Sequence, residues 1–592
     1  MPEYDFVIAM GGAPGQGIDS AGRALSRICG RHGLHLFTYS AYQSLIRGGH
    51  TFLTMRISSE PVANHGDKID LVIALNQDAM DKHLQNITPG GAIIYNSDNT
   101  DPGDGRDEVQ LCPISFKELS NNSRNKMMLN TVMLGAALNL VGADLTVFED
   151  ILTLQFKRKG QAVIDENVGL AQRGHEYAAE HFTPFPTAFR KQDKKLAVVD
   201  GNSAMAMGGA AAGVKFYCAY PMSPSTGVLH WMAENARDLG IMVRQCEDEI
   251  SVINMVIGAA HAGCRSMCAT SGGGFALMTE AIGMAGMMEI PVVVINVQRG
   301  GPSTGLPTKT EQGDLWQVLG ASQGDFPKII VAPTSIMDGC DTIPELFNLV
   351  DKFQCPGMII SDLMLSMGFT TFDPADMNWN PPIDRGELIT VPNDTGEPYL
   401  RYKTTESGIS PRAIPGTPGR IHVVATDDHD EDGGLISDEF TNPHKRRVIM
   451  EKRQRKMEGI AALMPPPDFE GPEDAEVTLI GWGSTKSVIG EAVGLLRAEG
   501  VGANQIHFKW LYPMNEDAVN EVLSKCKRSI IVECNYTGQF ARFLRGETGF
   551  KADGQMRKYD GEPFMPHHIV DGAKEHLAGK TDLYVPYQEI VV

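Results

Sequence analysis

The run Pro291-Val-Val-Val-Ile-Asn-Val297 is apolar along nearly its whole length. A strand with no polar face must be covered on both sides, and such strands sit in the middle of parallel sheets layered by helices. Apolar runs of the same kind occur at Asp5-Phe-Val-Ile-Ala-Met10, Val477-Thr-Leu-Ile480 and Ser529-Ile-Ile-Val-Glu533, most of them with a turn and a helical stretch close behind. This alternation predicts an α/β layered architecture with mostly parallel sheets. At 592 residues the chain is too long for one hydrophobic core. Three α/β domains are expected, at 1–185, 196–375 and 473–592. In the first, strands are expected at 34–39, 51–57, 70–75 and 91–96, and helices at 125–141 and 161–181. Residues 376–472 are rich in proline and charge, with seven acidic side chains in 427–439 and seven basic ones in 445–456. They read as a solvated connector carrying one charged helix, or alternatively as a partner-binding arm.

Lys and Arg number 52 against 73 Asp and Glu, a net charge of −21. So acidic a chain is poorly suited to nucleic acid or anionic lipid. The most apolar stretch, 281–297, is broken by Glu289 and Pro291, which argues against a membrane span. The chain opens with Glu3 and Asp5 and lacks the basic start of a signal peptide. Ten cysteines are scattered through apolar runs without any C-x-x-C. That pattern predicts reduced thiols, a cytoplasmic location and no metal cluster on this chain.

Several apparent signatures carry little. Gly11-Gly-Ala-Pro-Gly-Gln-Gly17 follows a strand, but its spacing is not G-x-G-x-x-G, and Pro14 removes an amide donor. It reads as a tight turn or a site for some phosphate-bearing ligand other than a dinucleotide. Gly301-Pro-Ser-Thr-Gly305 fits a nucleophile elbow, yet Leu306-Pro307 stops the helix that must follow. Gly103-Asp-Gly105 with Asn121-Asn122 is a turn, too closely spaced for a diphosphate–magnesium signature. The pairs His32 with His35 and His567 with His568 read as structural or surface.

The block 217–312 is the informative one. Phe216-Tyr-Cys-Ala219 is a strand, and Tyr220-Pro-Met-Ser-Pro-Ser-Thr226 places hydroxyls beside a helix start. They suit an anionic group or simply cap the helix. Gln245-Cys-Glu-Asp-Glu249 opens a helix with apolar residues at 250, 253, 256, 257 and 260. Glu249 sits against that apolar face, where a carboxyl has a raised pKa and can carry a proton near neutrality. Arg299 ends the buried strand, where it can clamp a carboxylate at the edge at which open α/β sheets take their ligands. The helix after Gly272 is rich in methionine (Met278, Met284, Met287, Met288), read as core or interface filler.

These residues resemble the α subunit of the 2-oxoacid:ferredoxin oxidoreductases, most closely the 2-oxoglutarate type with a γ domain fused ahead of the α domain. The resemblance is carried by Tyr220-Pro-Met-Ser-Pro-Ser, Glu247-Asp-Glu249, Ala269-Thr-Ser-Gly-Gly-Gly-Phe275, Arg299-Gly-Gly-Pro-Ser-Thr-Gly-Leu-Pro-Thr308 and Gly313-Asp-Leu. The glycine turn and Arg47-Gly-Gly49 look like the γ domain; Gly481-Trp-Gly-Ser and Glu533-Cys-Asn-Tyr-Thr-Gly-Gln539 resemble a transketolase-C-like domain. The resemblance implies a γ-type domain at 1–185, a thiamine diphosphate pyrimidine domain at 196–375 and a transketolase-C-like domain at 473–592. It implies that 2-oxoglutarate and coenzyme A give succinyl-CoA and carbon dioxide, or the reverse, with electrons passing to ferredoxin.

By the same resemblance Glu249 bonds the cofactor's aminopyrimidine and drives its deprotonation of the thiazolium carbon. Arg299, with Thr308 and Ser223, holds the substrate carboxylate. Tyr220, Pro221 and Met222 line the pyrimidine pocket, and Gly12, Gly15, Gly17 and Arg47 contribute to coenzyme A binding. The diphosphate–magnesium motif and a [4Fe–4S] cluster are expected on a β subunit in an α2β2 assembly, with this chain inactive alone. Other readings are a pyruvate or branched-chain 2-oxoacid enzyme, a cluster-free thiamine enzyme, which would need the diphosphate motif, and a non-catalytic coenzyme A-binding scaffold, which would not need a half-buried Glu249.

Overall fold

A computed structural model describes residues 4–41, 49–121, 128–186, 189–436 and 442–587. The chain forms two compact units, the first made of 1–200, 367–377 and 587–592, the second of 201–366 and 378–586.

The first unit is built on an eight-stranded sheet. Its order is Gln110–Ile114, Ala92–Asn96, Leu71–Ala74, Asp5–Gly12, Thr51–Ser58, His35–Ala41, Phe369–Phe372, Ala197–Asp200. The first four strands are parallel to one another, and every pairing beyond Asp5–Gly12 is antiparallel. The sheet is therefore mixed rather than mostly parallel. The link between His35–Ala41 and Thr51–Ser58 is too short for the dozen or more residues a parallel crossover needs. A second difference concerns the strand beginning near Leu196. The sequence places it at the head of the second domain, but it pairs with Phe369–Phe372 in the first sheet. Helices Leu129–Leu140 and Gln161–His181 touch backbone to backbone. A Cβ on Gly135 would meet the Ala171 oxygen at 2.2 Å, and one on Gly174 would meet the Val132 oxygen at 2.1 Å.

The second unit holds two larger sheets. One has the order Trp510–Tyr512, Ile329–Val331, Pro356–Asp362, Val292–Gln298, Arg265–Thr270, Val214–Ala219, Met242–Gln245, parallel except at Trp510–Tyr512. Val292–Gln298 is buried along its whole length at the centre. The other has the order Asp468–Glu470, Ala503–Phe508, Val477–Trp482, Ser529–Glu533, Gly554–Arg557, Leu583–Tyr584, parallel except at Asp468–Glu470. Each buried aliphatic side chain of these strands contributes roughly 1.5–3 kcal/mol.

Residues 378–472 belong to this unit and are not simply a solvated connector. The helix Pro443–Ala461 buries Lys452, Arg453 and Lys456 with Ile449 and Ile460. Their charge is met from elsewhere in the unit. Lys452 Nζ donates to Glu289 Oε1 at 2.6 Å, Lys456 Nζ donates to Glu289 Oε2, and Arg401 Nη2 donates to the Glu289 carbonyl at 2.8 Å. Burial alone would raise the Glu289 pKa, but the two ammonium groups and Arg401 hold it well below the usual carboxylate range.

Removing one member of such a cluster strands buried charge. Glu289→Gln is therefore expected to cost about 3–5 kcal/mol, read as an earlier thermal transition. Because the carboxyl is depressed, the wild type's advantage is full above its ordinary value of 4.5 and fades as pH falls below it. An unchanged transition at pH 7 would show that the cluster does not hold the helix.

Candidate active site

Four parallel strands of the second unit end on one edge of their sheet, and each end carries polar residues. Ala219 leads to Tyr220-Pro-Met-Ser223, Gln245 to Glu249, Thr270 to the glycines at 272–274, and Gln298 to Arg299. These groups therefore collect on the edge where open α/β sheets take ligands.

Glu249 is the first residue of the helix Glu249–His261. Asp248 caps that helix, accepting from the N–H groups of Ile250 and Ser251 at 3.0 and 3.3 Å. Val252, Ile253, Val256, Ile257 and Ala260 are buried, whereas Ile250 is exposed. Glu249 is only 3% exposed, and its Oε1 has no hydrogen-bond partner. Burial raises its pKa, with the neighbouring Asp248 and Glu247 adding to the rise. The carboxyl needs Gly274 opposite it, since a Cβ there would meet Glu249 Oε1 at 2.5 Å.

Arg299 is buried, with Nη1 donating to the Ser223 carbonyl at 2.6 Å and lying 3.6 Å from Met222 Sδ. Arg299 and Met222 line a cavity of about 820 Å³, together with Glu311, Asp314, Tyr536 and Tyr559. Glu249, Tyr220, Pro221 and Thr308 lie outside that lining. Pro221 and Ser223 are exposed, Tyr220 is half-buried and Thr308 is buried. Gly12, Gly15 and Gly17 belong to the first unit. Gly15 and Gly17 adopt positive φ there, and the Gln16 side chain accepts from Ala13 N at 2.6 Å. Arg47 falls outside the described residues.

Three further residues bear on the cavity. Burial, then Asp314 and Asp560, push the Glu311 carboxyl up to about 7. Asp314 is also raised by burial, against the pull of Asn296 and Arg299, and accepts from Asn296 Nδ2 at 3.0 Å. Between them Gln312 is 1% exposed and spends both ends of its side chain and both backbone groups on turns of the other sheet. Its N donates to the Cys534 carbonyl at 2.6 Å and its Nε2 to the Trp482 carbonyl at 2.9 Å. Its Oε1 accepts from Cys534 N at 3.0 Å and its carbonyl from Asn535 Nδ2 at 3.1 Å. The loop that begins with Arg299 is thereby clasped to residues more than 150 positions away. The cue in the sequence is a carboxylate pair three apart around Gln312-Gly313, just beyond the strand-end loop.

Comparison with known proteins decides the family. Residues 207–444 match the model described as pyruvate flavodoxin/ferredoxin oxidoreductase, thiamine diP-binding. Residues 7–177 match pyruvate ferredoxin/flavodoxin oxidoreductase, and 471–545 the transketolase C-terminal domain. The 2-oxoacid:ferredoxin oxidoreductase 2 α subunit of Aeropyrum pernix is 31% identical, over 97% of this chain and 98% of its own. This chain belongs to the 2-oxoacid:ferredoxin oxidoreductase α-subunit family. The 2-oxoglutarate oxidoreductase subunit KorA of Mycobacterium tuberculosis is 31% identical over 97% of this chain and 92% of its own. Among solved structures, the 2-oxoglutarate:ferredoxin oxidoreductase from Magnetococcus marinus, with 2-oxoglutarate, coenzyme A and succinyl-CoA bound, matches with a TM-score of 0.89. It is 33% identical, over 97% of this chain and all of that one.

Two outcomes follow from this geometry. Gln312→Ala removes the clasp and should lower kcat/KM by roughly ten- to a hundredfold with the circular dichroism spectrum unchanged; wild-type kinetics would show that the loop holds its place without it. Below pH 7 the Glu311 carboxyl is neutral, and above it a negative charge faces any anion entering the cavity. KM for an anionic substrate should rise roughly two- to fivefold between pH 6 and 8, and Glu311→Gln should flatten that profile. An unchanged profile in the variant would remove Glu311 from the cavity's electrostatics.

Proposed function

We propose that this chain is the α subunit of a coenzyme A-dependent oxidoreductase that decarboxylates 2-oxoglutarate to succinyl-CoA and carbon dioxide. Electrons leave through an iron–sulfur cluster on a β subunit to ferredoxin, and two copies of each subunit form the assembly. The observation that carries the reading is the buried Glu249 carboxyl, whose Oε1 is without a partner at the head of its helix. It lies on the sheet edge whose central strand ends in Arg299. 2-Oxoglutarate is preferred to pyruvate because the Magnetococcus marinus enzyme, similar over 97% of this chain, carries 2-oxoglutarate and succinyl-CoA.

The residues fit thiamine diphosphate. A buried carboxyl whose Oε1 is orphaned, packed against a glycine helix start too close for any Cβ, suits a ring nitrogen that needs an acceptor or a donor. When bound, thiamine diphosphate supplies the electron sink that lets a 2-oxoacid lose carbon dioxide. Glu249, its pKa raised by burial, would bond the ring nitrogen through Oε1. Tyr220, Pro221 and Met222 would hold the ring, and the diphosphate and magnesium would fall to the β subunit. Arg299 receives the substrate carboxylate by its guanidinium, with Ser223 fixing that guanidinium and Thr308 on the loop behind it. In the first unit, the glycine turn at the N-terminus of Ile18–His32 suits a phosphate of coenzyme A, through Gly12, Gly15 and Gly17 with Arg47. No helix among the described residues is long and apolar enough to cross a membrane, and the proposed location is the cytoplasm.

The test is to co-express the chain with its β partner and follow viologen reduction with 2-oxoglutarate, pyruvate and a branched-chain 2-oxoacid, each with coenzyme A. Turnover should be highest with 2-oxoglutarate. Arg299→Ala should lower kcat/KM by roughly a hundredfold or more, the loss of a charge-assisted bidentate contact. Unchanged kinetics in that variant would remove the carboxylate clamp, and highest turnover with pyruvate would overturn the substrate.

A further inference from the structure

Cys218 and Cys246 lie beside the Glu249 turn, and the function above uses neither. Cys218 is near the end of strand Val214–Ala219 and Cys246 is the first residue after Met242–Gln245. These strands pair in parallel with Ala219 opposite Gln245. Side chains alternate along a strand, so residues 218 and 246 fall on the same face. The structure places their Sγ atoms 3.5 Å apart. Met255 of the helix Glu249–His261 completes the cluster, its Sδ 3.4 Å from Cys246 Sγ and 4.0 Å from Cys218 Sγ. Cys218 is fully buried and Cys246 is partly exposed. Cys246 N donates to the Ala219 carbonyl at 3.1 Å, which keeps the first residue of the turn against the strand carrying Cys218.

A disulfide needs the two sulfurs about 2.05 Å apart. Closing the gap must draw Cys246 toward Cys218, because Cys218 is held in a buried ladder and Cys246 lies just past the end of its own. Cys246 leads directly into Glu247, the capping Asp248 and Glu249.

We propose that Cys218 and Cys246 form a reversible disulfide that switches the site off by displacing the Glu249 turn. The oxidant is a low-molecular-weight disulfide. The more accessible Cys246, as its thiolate, attacks one sulfur of that disulfide and expels a thiolate, leaving a mixed disulfide. Cys218 then attacks Cys246 Sγ in the mixed disulfide and expels the second thiolate, which takes up the Cys218 proton. Two protein thiols lose two electrons and two protons, and the small disulfide becomes two thiols. Burial, with Cys246 beside it, pushes the Cys218 thiol up to about 12, which lowers its thiolate fraction for the second step. Disulfides inside cells are characteristically of this transient, redox-sensing kind.

The pairing of the thiols stands on geometry alone, and its effect on turnover rests on the role of Glu249 proposed above, so the two are read separately. The co-expressed complex is equilibrated anaerobically in glutathione buffers of graded oxidised-to-reduced ratio. Each sample is quenched with iodoacetamide, digested and examined by mass spectrometry for the 218–246 cross-link, while a second aliquot is assayed for viologen reduction. The cross-link should grow with the ratio, and turnover should fall in step by about a hundredfold, the scale of an ångström's misplacement. Dithiothreitol should reverse both. Cys246→Ser and Cys218→Ser should keep wild-type turnover in reducing buffer and lose the response. Absence of the cross-link at the most oxidising ratio, a cross-link without loss of turnover, or an equal loss in both serine variants would each overturn the switch. Failure of the Glu249 assignment shows independently, as full activity in Glu249→Gln under reducing conditions.

Discussion

A carboxyl oxygen buried without a partner costs free energy that the fold does not recover. Glu249 is placed this way, at the head of a helix whose next turns bury Val252, Ile253 and Val256, with its Oε1 bonded to nothing in the chain. A buried polar atom left unsatisfied costs about 1–3 kcal/mol, and a charge there costs more, so the group is raised toward its neutral form. Much of the surrounding architecture holds that arrangement in place. Asp248 takes the helix's orphan amides, and Gly274 leaves open the space into which the carboxyl points. The central strand Val292–Gln298 is buried along its whole length and delivers Arg299 to the same edge.

Rigidity at that edge comes from the other large sheet of the unit. The loop after Arg299 contains four glycines and two prolines in 300–314 and has no regular structure of its own. Gln312 supplies the missing order through its hydrogen bonds to the turns at Trp482, Cys534 and Asn535. Gln539 adds a bond from its Nε2 to the Gly313 carbonyl at 2.7 Å. Glu533, fully buried beside this turn, spends its carboxylate on Asn535 and on the amides of Phe540 and Ala541. Two sheets therefore build one cavity wall, the transketolase-like part of the chain both holding the loop and lending Tyr536 to the lining.

What the sequence discloses follows from periodicity and from strand ends. The all-apolar run at 291–297 identifies a covered strand, and the apolar spacing behind Glu249 points to a carboxyl pressed against a core. The mixed sheet of the first unit was less legible, because the return of Phe369–Phe372 to pair with His35–Ala41 depends on contacts between residues some 330 positions apart. The charged helix Pro443–Ala461 reads as solvated in the sequence for a similar reason. Lys452 and Lys456 look like surface residues until Glu289, over 160 positions earlier, is found between them. Beyond the carboxylates at 311 and 314 that bracket it, Gln312 gives no signal of its clasp, since an amide side chain carries no charge and its partners lie on distant turns. Long-range hydrogen bonding of this sort leaves no period in the sequence.

The role proposed for Glu249 is to bond the aminopyrimidine of thiamine diphosphate and so favour loss of the thiazolium proton. The most direct measurement is the rate of hydrogen–deuterium exchange at the thiazolium C2 of thiamine diphosphate bound to the co-expressed complex, without substrate, in wild type and Glu249→Gln. Exchange should slow by about 10²- to 10⁴-fold in the variant, the range for loss of a positioned acid–base group, while thiamine diphosphate still binds. Exchange at the wild-type rate with the cofactor bound would contradict it.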